Sequence, residues 1–290
     1  MTERMKGYLL TAGGVMALSP DALIIKLSGL SAMSMIFWRG ALVGGMLTLL
    51  LLLFWRGRFF QQFRAIGKAG LLVTLFYAIS NSCFTAANTL TVSANVLVIV
   101  ATTPLFSAIF ASIFLKEHAS RRTWIASLIA LCGVGLVAGE QVSLNAGLGE
   151  LFALICVMGI AIVFVVIRSA KEINMLPATA LALLITVPAG FFWFDVPATD
   201  IGVVAIIVGG LFFIPIAYIG ITIGPRYLHP AETGLIILLE TVFGSLWVWL
   251  ALNERPTDLG LVGGVIILGA LIGNTMIGLH NERKRTAPAA

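Results

Sequence analysis

One face of the third apolar run carries a stripe of polar and aromatic side chains. Tyr77, Asn81, Phe84 and Asn88 recur every three or four residues, with Thr85 beside Phe84. Residues at this spacing share one face of an α-helix. Amides inside a bilayer are costly without partners, so the stripe indicates either hydrogen bonds between helices or a binding surface. Amides that bond charged groups, beside rings that stack, suit a zwitterion with an apolar side chain.

Other polar side chains occur on two further apolar runs. Tyr218 and Thr222 form a pair at helical spacing after Pro215, and Thr103 directly precedes Pro104. Proline removes a backbone hydrogen bond from a helix and frees a carbonyl group. Pro104 therefore predicts a kink, which serves either helix packing or gating. The predicted substrate-binding set comprises Tyr77, Asn81, Phe84, Asn88, Thr103, Tyr218 and Thr222.

Three charged residues lie inside apolar runs. Asp21 and Arg39 are equally distant from residue 30, so an antiparallel helix pair would bring them to the same depth. We interpret them first as a salt bridge, because a lone charge at that depth is costly. Pro20, directly before Asp21, predicts an opening of the helix that could serve as a hinge. Glu240 lies near the middle of its run, where an acid serves proton coupling, substrate-amine binding or a structural contact between the halves.

No catalytic or metal-binding pattern is present. The three histidines fall at the ends of apolar runs, and the three cysteines lie inside such runs. No Ser/His/Asp set, pair of carboxylates, glycine-rich phosphate loop or metal-ligand spacing occurs. We therefore predict neither an enzyme, nor a cofactor, nor a metal site. We also predict no nucleic-acid partner, because no basic run alternates with aromatic residues outside the apolar runs.

The composition indicates which elements must hold these side chains. Hydrophobic residues make up 59% of the chain and charged residues 11%, whereas a soluble domain has about a quarter of charged residues. A helix needs roughly 20 apolar residues to cross the hydrocarbon core, and lipid offers the backbone no hydrogen-bond partner. We therefore predict an all-α polytopic membrane protein with ten transmembrane helices, at 7–28, 32–55, 69–91, 93–115, 122–139, 147–169, 176–195, 200–222, 230–252 and 257–279.

Basic residues are distributed unevenly among the loops between these spans. Fifteen of the 18 lysines and arginines fall at the two termini and in every second loop. Basic loops stay on the cytoplasmic side during insertion. Both termini are therefore predicted to be cytoplasmic, in a multi-pass protein of the bacterial inner membrane.

The two halves of the chain contain related segments. Residues 94–117 correspond to residues 231–254 at a constant offset of 137 residues. Each half holds five spans, and because five is odd the second copy must enter the membrane inverted. Inverted repeats are typical of secondary transporters, whose substrate site lies between the halves. We predict repeats at 1–142 and 143–280, followed by a disordered cytoplasmic tail at 281–290.

The repeated segments carry recognisable motifs. The first copy contains Pro104-Leu105-Phe106, Leu115-Lys116-Glu117, Trp124 and Gly133-Val134-Gly135, and the second contains Leu239-Glu240-Thr241-Val242-Phe243-Gly244 and Leu252-Asn253-Glu254-Arg255-Pro256. Over essentially the whole chain, these motifs resemble the EamA family of the drug/metabolite transporter superfamily. The resemblance implies ten helices in two inverted five-helix repeats and a carrier of small metabolites. Thr241 stands where the family pattern has proline, so we expect no kink in the second copy.

The polar and aromatic middle of the chain most resembles the bacterial exporters of aromatic and other neutral amino acids, of the YddG type. The resulting prediction is a secondary transporter that exports such amino acids by alternating access. The alternatives are an exporter of other metabolites or drugs, a channel, an integral-membrane enzyme and a membrane scaffold. The expected partners are a small-molecule substrate and the lipid bilayer, and the sequence leaves monomer and homodimer open.

Overall fold

The computed structural model describes residues 2–91, 93–139, 147–253 and 257–286, and all regular structure in these ranges is helical. The α-helices of the first half are α1 (Glu3–Leu18), α2 (Asp21–Ser28), α3 (Ala32–Trp38), α4 (Gly45–Trp55), α5 (Phe59–Ala65), α6 (Gly67–Leu90), α7 (Ser93–Val100), α8 (Thr103–Phe110) and α9 (Arg121–Ala138). Those of the second half are α10 (Leu148–Ser169), α11 (Leu176–Leu184), α12 (Val187–Phe191), α13 (Asp200–Val208), α14 (Ile214–Ile223), α15 (Pro230–Ile237), α16 (Leu239–Leu252) and α17 (Asp258–Thr286).

Most predicted spans are long, apolar helical stretches. Nine stretches within the described ranges are long and apolar enough to cross a membrane. The predicted seventh span, 176–195, is shorter, because its helical part is Leu176–Phe191 and is divided between α11 and α12. Pro188 lies in the first turn of α12, where its missing N–H group ends the preceding hydrogen-bond ladder. The all-helical class and about ten spans are therefore confirmed.

The fourth and ninth spans are both broken near their midpoints. In the fourth span α7 ends at Val100 and α8 begins at Thr103, directly before Pro104. In the ninth span α15 ends at Ile237 and α16 begins at Leu239. The expectation of an unkinked second copy is therefore wrong. The backbone tightens there without proline, since Thr241 N–H donates to the carbonyl of Leu238 at 3.2 Å, a bond of the i to i−3 type.

The two broken spans touch each other. A Cβ atom added to Gly234 of α15 would lie 2.8 Å from the Cα atom of Pro104 in α8. Only glycine allows two backbones to approach so closely. The contact therefore joins the fourth span of the first half, near its break, to the corresponding ninth span of the second half.

The last helices of the two halves, α9 and α17, also pack backbone to backbone. A Cβ atom on Gly133 of α9 would lie 2.8 Å from the carbonyl oxygen of Gly263 in α17. Elsewhere in the bundle α6 packs along α10, and α1 packs along α14. The fifth and tenth spans are thus held together by small residues, as the glycines of these runs predict.

Parts of the predicted organisation fall at or beyond the edge of the described chain. Helix α17 continues to Thr286, so the first six residues of the segment predicted as a tail are helical. Residues 287–290 lie outside the described residues, as do the predicted boundary at 142/143 and the motif residues Glu254, Arg255 and Pro256.

Candidate functional site

A cavity of about 110 Å³ lies between spans of both halves. A buried water needs roughly 10–15 Å³, so the cavity has room for several waters or for polar parts of a small ligand. Aliphatic side chains from the first, fourth, sixth, eighth and ninth spans form much of the wall. The polar and aromatic part of the wall consists of Asp21, Arg39, Tyr77, Ser80, Asn81, Phe84, Thr103, Cys156, Tyr218 and Glu240.

Five of the seven predicted substrate-binding residues belong to this wall. They are Tyr77, Asn81, Phe84, Thr103 and Tyr218.

The remaining two predicted residues, Asn88 and Thr222, lie outside the wall. Asn88 Nδ2 donates to the backbone oxygen of Phe84 at 2.9 Å, within its own helix. The hydroxyl group of Thr222 shares a 3.0 Å hydrogen bond with that of Thr179 and is fully buried. Helical spacing predicted Asn88 from the stripe and Thr222 from its pairing with Tyr218, but Asn88 bonds within its own helix and Thr222 bonds to a neighbouring helix.

Asp21 and Arg39 form the predicted ion pair. Arg39 Nη1 donates to Asp21 Oδ2 at 2.7 Å, and their side chains are only 5% and 2% exposed. The break at Ser19 and Pro20 ends α1 and makes Asp21 the first residue of α2. A carboxylate in the first turn of a helix is favoured by the helix dipole. The predicted opening at Pro20 therefore positions one member of the pair.

Asn81 connects the stripe to the second half of the chain. The Tyr218 hydroxyl donates to Asn81 Oδ1 at 3.1 Å, and both side chains are buried. The rings of Tyr77 and Tyr218 lie 5.6 Å apart between centroids. The third and eighth spans, one from each half, thus meet at this hydrogen bond in the cavity wall.

Glu240 lies directly after the break in the ninth span. It is the second residue of α16, half-buried, and its charged neighbours are Asp21 and Arg39. Since Asp21 and Arg39 neutralise each other, Glu240 is the remaining carboxyl group of the described wall. The break in the ninth span therefore places at the cavity one uncompensated acid, a carboxyl group that has no basic partner of its own among the described wall residues.

Two wall residues were missed by the sequence analysis. Ser80 lies three positions after Tyr77 and so shares the stripe, and Cys156 lies in the sixth span, whose helix α10 packs along the helix that carries the stripe. A Cβ atom on Gly159 would come within 2.2 Å of Ser80 Oγ, so glycine provides the space for that hydroxyl. Helical spacing could have found Ser80, whereas Cys156 carries no signal in sequence.

A buried carboxylate ties three spans together where the basic loops lie. Glu232 in the first turn of α15 is 2% exposed. Its Oε1 accepts hydrogen bonds from Arg4 and, at 3.2 Å, from Arg122 Nη2. We call Arg4, Arg122 and Glu232 the basic-end network. In sequence, Glu232 falls within the repeated segment 231–254 and was not predicted as a site residue, although an acid in the first turn of a span beside basic loops is itself a signal.

His229 and Glu117 lie beside this network. His229 Nδ1 accepts from the backbone N–H of Ala231 at 3.2 Å, while Nε2 faces the backbone oxygen of Glu117 at 3.3 Å. Nε2 must therefore carry the proton. Burial lowers the pKa of the His229 imidazole, which favours its neutral form. This histidine caps α15 rather than serving the cavity.

A second network ties spans together at the opposite end of the bundle. Glu150 Oε1 accepts a 2.6 Å hydrogen bond from Asn95 Nδ2 and another from the Thr91 hydroxyl. We call Thr91, Asn95 and Glu150 the opposite-end network. Asn95 and Glu232 correspond at the offset of 137 residues, so related positions serve the two networks.

Comparisons with known proteins agree with this architecture. Residues 5–139 and 147–276 each match the model of the EamA-like transporter family. A Bacillus subtilis (strain 168) protein described as uncharacterized transporter YdfC is 28% identical over 191 residues, and the match spans 62% of each chain, less than two thirds of that relative. A solved crystal structure superposes with a TM-score of 0.80 over 94% of this chain and 98% of that chain. At 16% identity, that likeness shows a shared fold.

Proposed function

We propose, because this chain belongs to the EamA-like transporter family, that it is a secondary transporter exporting aromatic or other neutral amino acids. The family is one of transporters and not of enzymes. The observation that carries the proposal is a cavity between the two halves whose wall combines charged, amide, hydroxyl and aromatic groups. Such a wall suits a ligand with both charged and apolar parts.

The inverted repeat is part of the proposal. Each half separately matches the family model, and the breaks at residues 101–102 and 238 correspond at the offset of 137. With five spans in each half, the second half is inverted and both termini are cytoplasmic. The protein resides in the bacterial inner membrane as a multi-pass carrier.

Alternating access would use the two end networks. Glu232 links the first, fifth and ninth spans at the basic end, and Glu150 links the third, fourth and sixth spans at the other. Opening either end requires its network to separate while the other remains intact. Because the networks share no residue, the two ends can open in turn.

Glu240 provides a means of coupling. Its carboxyl group borders the cavity and has no opposite charge of its own among the described wall residues. Such a group can take up a proton in one half of the cycle and release it in the other. A position in the wall favours coupling over the alternative of a purely structural glutamate.

Uptake into proteoliposomes tests the transport proposal. The purified full-length protein is offered labelled neutral amino acids, nucleotide sugars and cationic drugs in parallel. We expect saturable flux of neutral amino acids that is stimulated by unlabelled amino acid on the opposite side. Flux of another class alone would support the alternative exporter, flux without saturation a channel, and no flux above protein-free vesicles would contradict a carrier of any of these compounds.

A further inference from the structure

Four residues of the cavity wall each hold a buried polar atom without a hydrogen-bond partner among the described residues. The atoms are Asp21 Oδ1, Arg39 Nε, Ser80 Oγ and Asn81 Nδ2. These are four of only nine such atoms in the described chain, and each residue is at most 6% exposed. Buried polar groups are normally paired, so this concentration at one wall needs an explanation.

The four atoms have complementary hydrogen-bonding roles. Arg39 Nε and Asn81 Nδ2 are donors and the Ser80 hydroxyl can donate, whereas Asp21 Oδ1 only accepts. The Tyr218 hydroxyl donates to Asn81 Oδ1, which leaves the Nδ2 donor of that amide free. A ligand that satisfies all four therefore presents one group that accepts several hydrogen bonds and one group that donates.

The ion pair between Arg39 and Asp21 leaves part of each charged group without a hydrogen-bond partner in the described part of the chain. Arg39 Nη1 donates to Asp21 Oδ2 at 2.7 Å, while Arg39 Nε and Asp21 Oδ1 are the buried atoms of the pair that have no hydrogen-bond partner among the described residues. An α-amino acid carries its carboxylate and its ammonium group on one carbon. It can lie alongside the pair with each of its charges next to the opposite charge of the protein.

We propose that Arg39, Ser80 and Asn81 bind the carboxylate of an α-amino acid and that Asp21 binds its ammonium group. The ion pair is then a recognition element and more than a structural contact. The inference rests on the proposed function and specifies which atoms select the substrate. Ser80, unremarkable in sequence, becomes a specificity-determining residue.

Calorimetric binding to the purified full-length protein tests the assignment. The probes are L-phenylalanine, L-phenylalaninamide, which lacks the carboxylate, and 3-phenylpropanoate, which lacks the ammonium group. We expect wild-type protein to bind phenylalanine at least tenfold more tightly than either analogue. Tenfold corresponds to about 1.4 kcal/mol.

The Ser80→Ala variant separates carboxylate binding from general damage. It removes one hydroxyl and no charge, so we expect about a tenfold loss of affinity for phenylalanine and no change for phenylalaninamide. Asp21→Asn should weaken both of these ligands. Ser107→Ala is the matched control, because the Ser107 hydroxyl is also buried without a partner but lies outside the wall.

The outcomes distinguish this inference from the proposed function. If wild-type protein binds phenylalanine but Ser80→Ala leaves that affinity unchanged, or lowers it equally for both ligands, the carboxylate assignment is overturned and the transporter proposal stands. Binding of none of the three probes would overturn this inference and aromatic amino acids as substrates, and the uptake panel then decides whether other neutral amino acids are carried. The test remains valid where charge variants fold poorly, since Ser80→Ala alone decides it.

Discussion

Asn81 occupies the point at which the predicted stripe meets the second half of the chain. Its amide borders the cavity and accepts the Tyr218 hydrogen bond. Hydrogen bonds to charged groups contribute roughly 1.5–3 kcal/mol. Asn81→Ala should therefore weaken apparent substrate affinity about ten- to a hundredfold in proteoliposome uptake, with near-normal protein abundance. Leu72→Ala, on the exposed face of the same helix, is the control and should leave both the apparent affinity and the protein abundance unchanged. Unchanged affinity in Asn81→Ala would locate the substrate elsewhere.

The ion pair predicts an effect on abundance. Arg39→Ala leaves Asp21 as a buried carboxylate without its partner, which costs roughly 3–5 kcal/mol. We expect a marked loss of protein from the membrane fraction, measured by immunoblot. The double change Asp21→Ala with Arg39→Ala should recover part of it, because no lone charge remains. A double variant as poor as the sum of the single variants would contradict an energetic coupling.

Glu240 allows a direct test of coupling. Glu240→Gln keeps the size of the side chain and removes its ability to titrate. We expect flux driven by a pH gradient to be abolished, while exchange of labelled for unlabelled substrate continues. Both activities are measured in the same proteoliposomes. If both survive with the pH dependence of wild-type protein, Glu240 is structural.

At the scale of helices, the sequence predicted breaks where proline marks them. Pro20 and Pro104 each lie at the start of a new helix. The ninth span breaks at residue 238 without a proline, about one turn after Gly234 packs on the fourth span. Propensity acts locally, whereas this break lies beside a contact between residues 130 positions apart. The same reason explains why Glu232 and Glu150 could not be assigned partners from sequence.

The crossing of the two broken spans predicts sensitivity to a single methyl group. In Gly234→Ala the new Cβ would lie 2.8 Å from the Pro104 backbone, which cannot move aside as a flexible side chain would. We expect a destabilisation of about 1–3 kcal/mol, seen as a lower melting temperature of the purified protein. Gly269→Ala in α17 is the matched control, because its new Cβ meets nothing within 4 Å. Equal melting temperatures for the two variants would show that the crossing is loosely packed.

At the scale of the whole molecule, topology is the first test. In a cysteine-free background, single cysteines at Arg64 and Arg285 should be unreactive to an impermeant thiol reagent in whole cells. A cysteine at Asn145, which lies outside the described residues, should react. The expectation follows from the distribution of basic loops. Permeabilised cells provide the control, since all three positions should then react. Labelling of all three from outside would contradict cytoplasmic termini.

The uncompensated acid in the cavity has an electrical consequence. A neutral zwitterion that leaves in exchange for one entering proton moves one net positive charge inward. A membrane potential of about 100 mV, negative inside, supplies about 2.3 kcal/mol for each such charge. Since each 1.4 kcal/mol is a factor of ten, the voltage alone can hold the substrate concentration outside the cell about fortyfold above the concentration inside. With the coupling proposed for Glu240, cells could therefore continue to export amino acids at an external pH equal to their own.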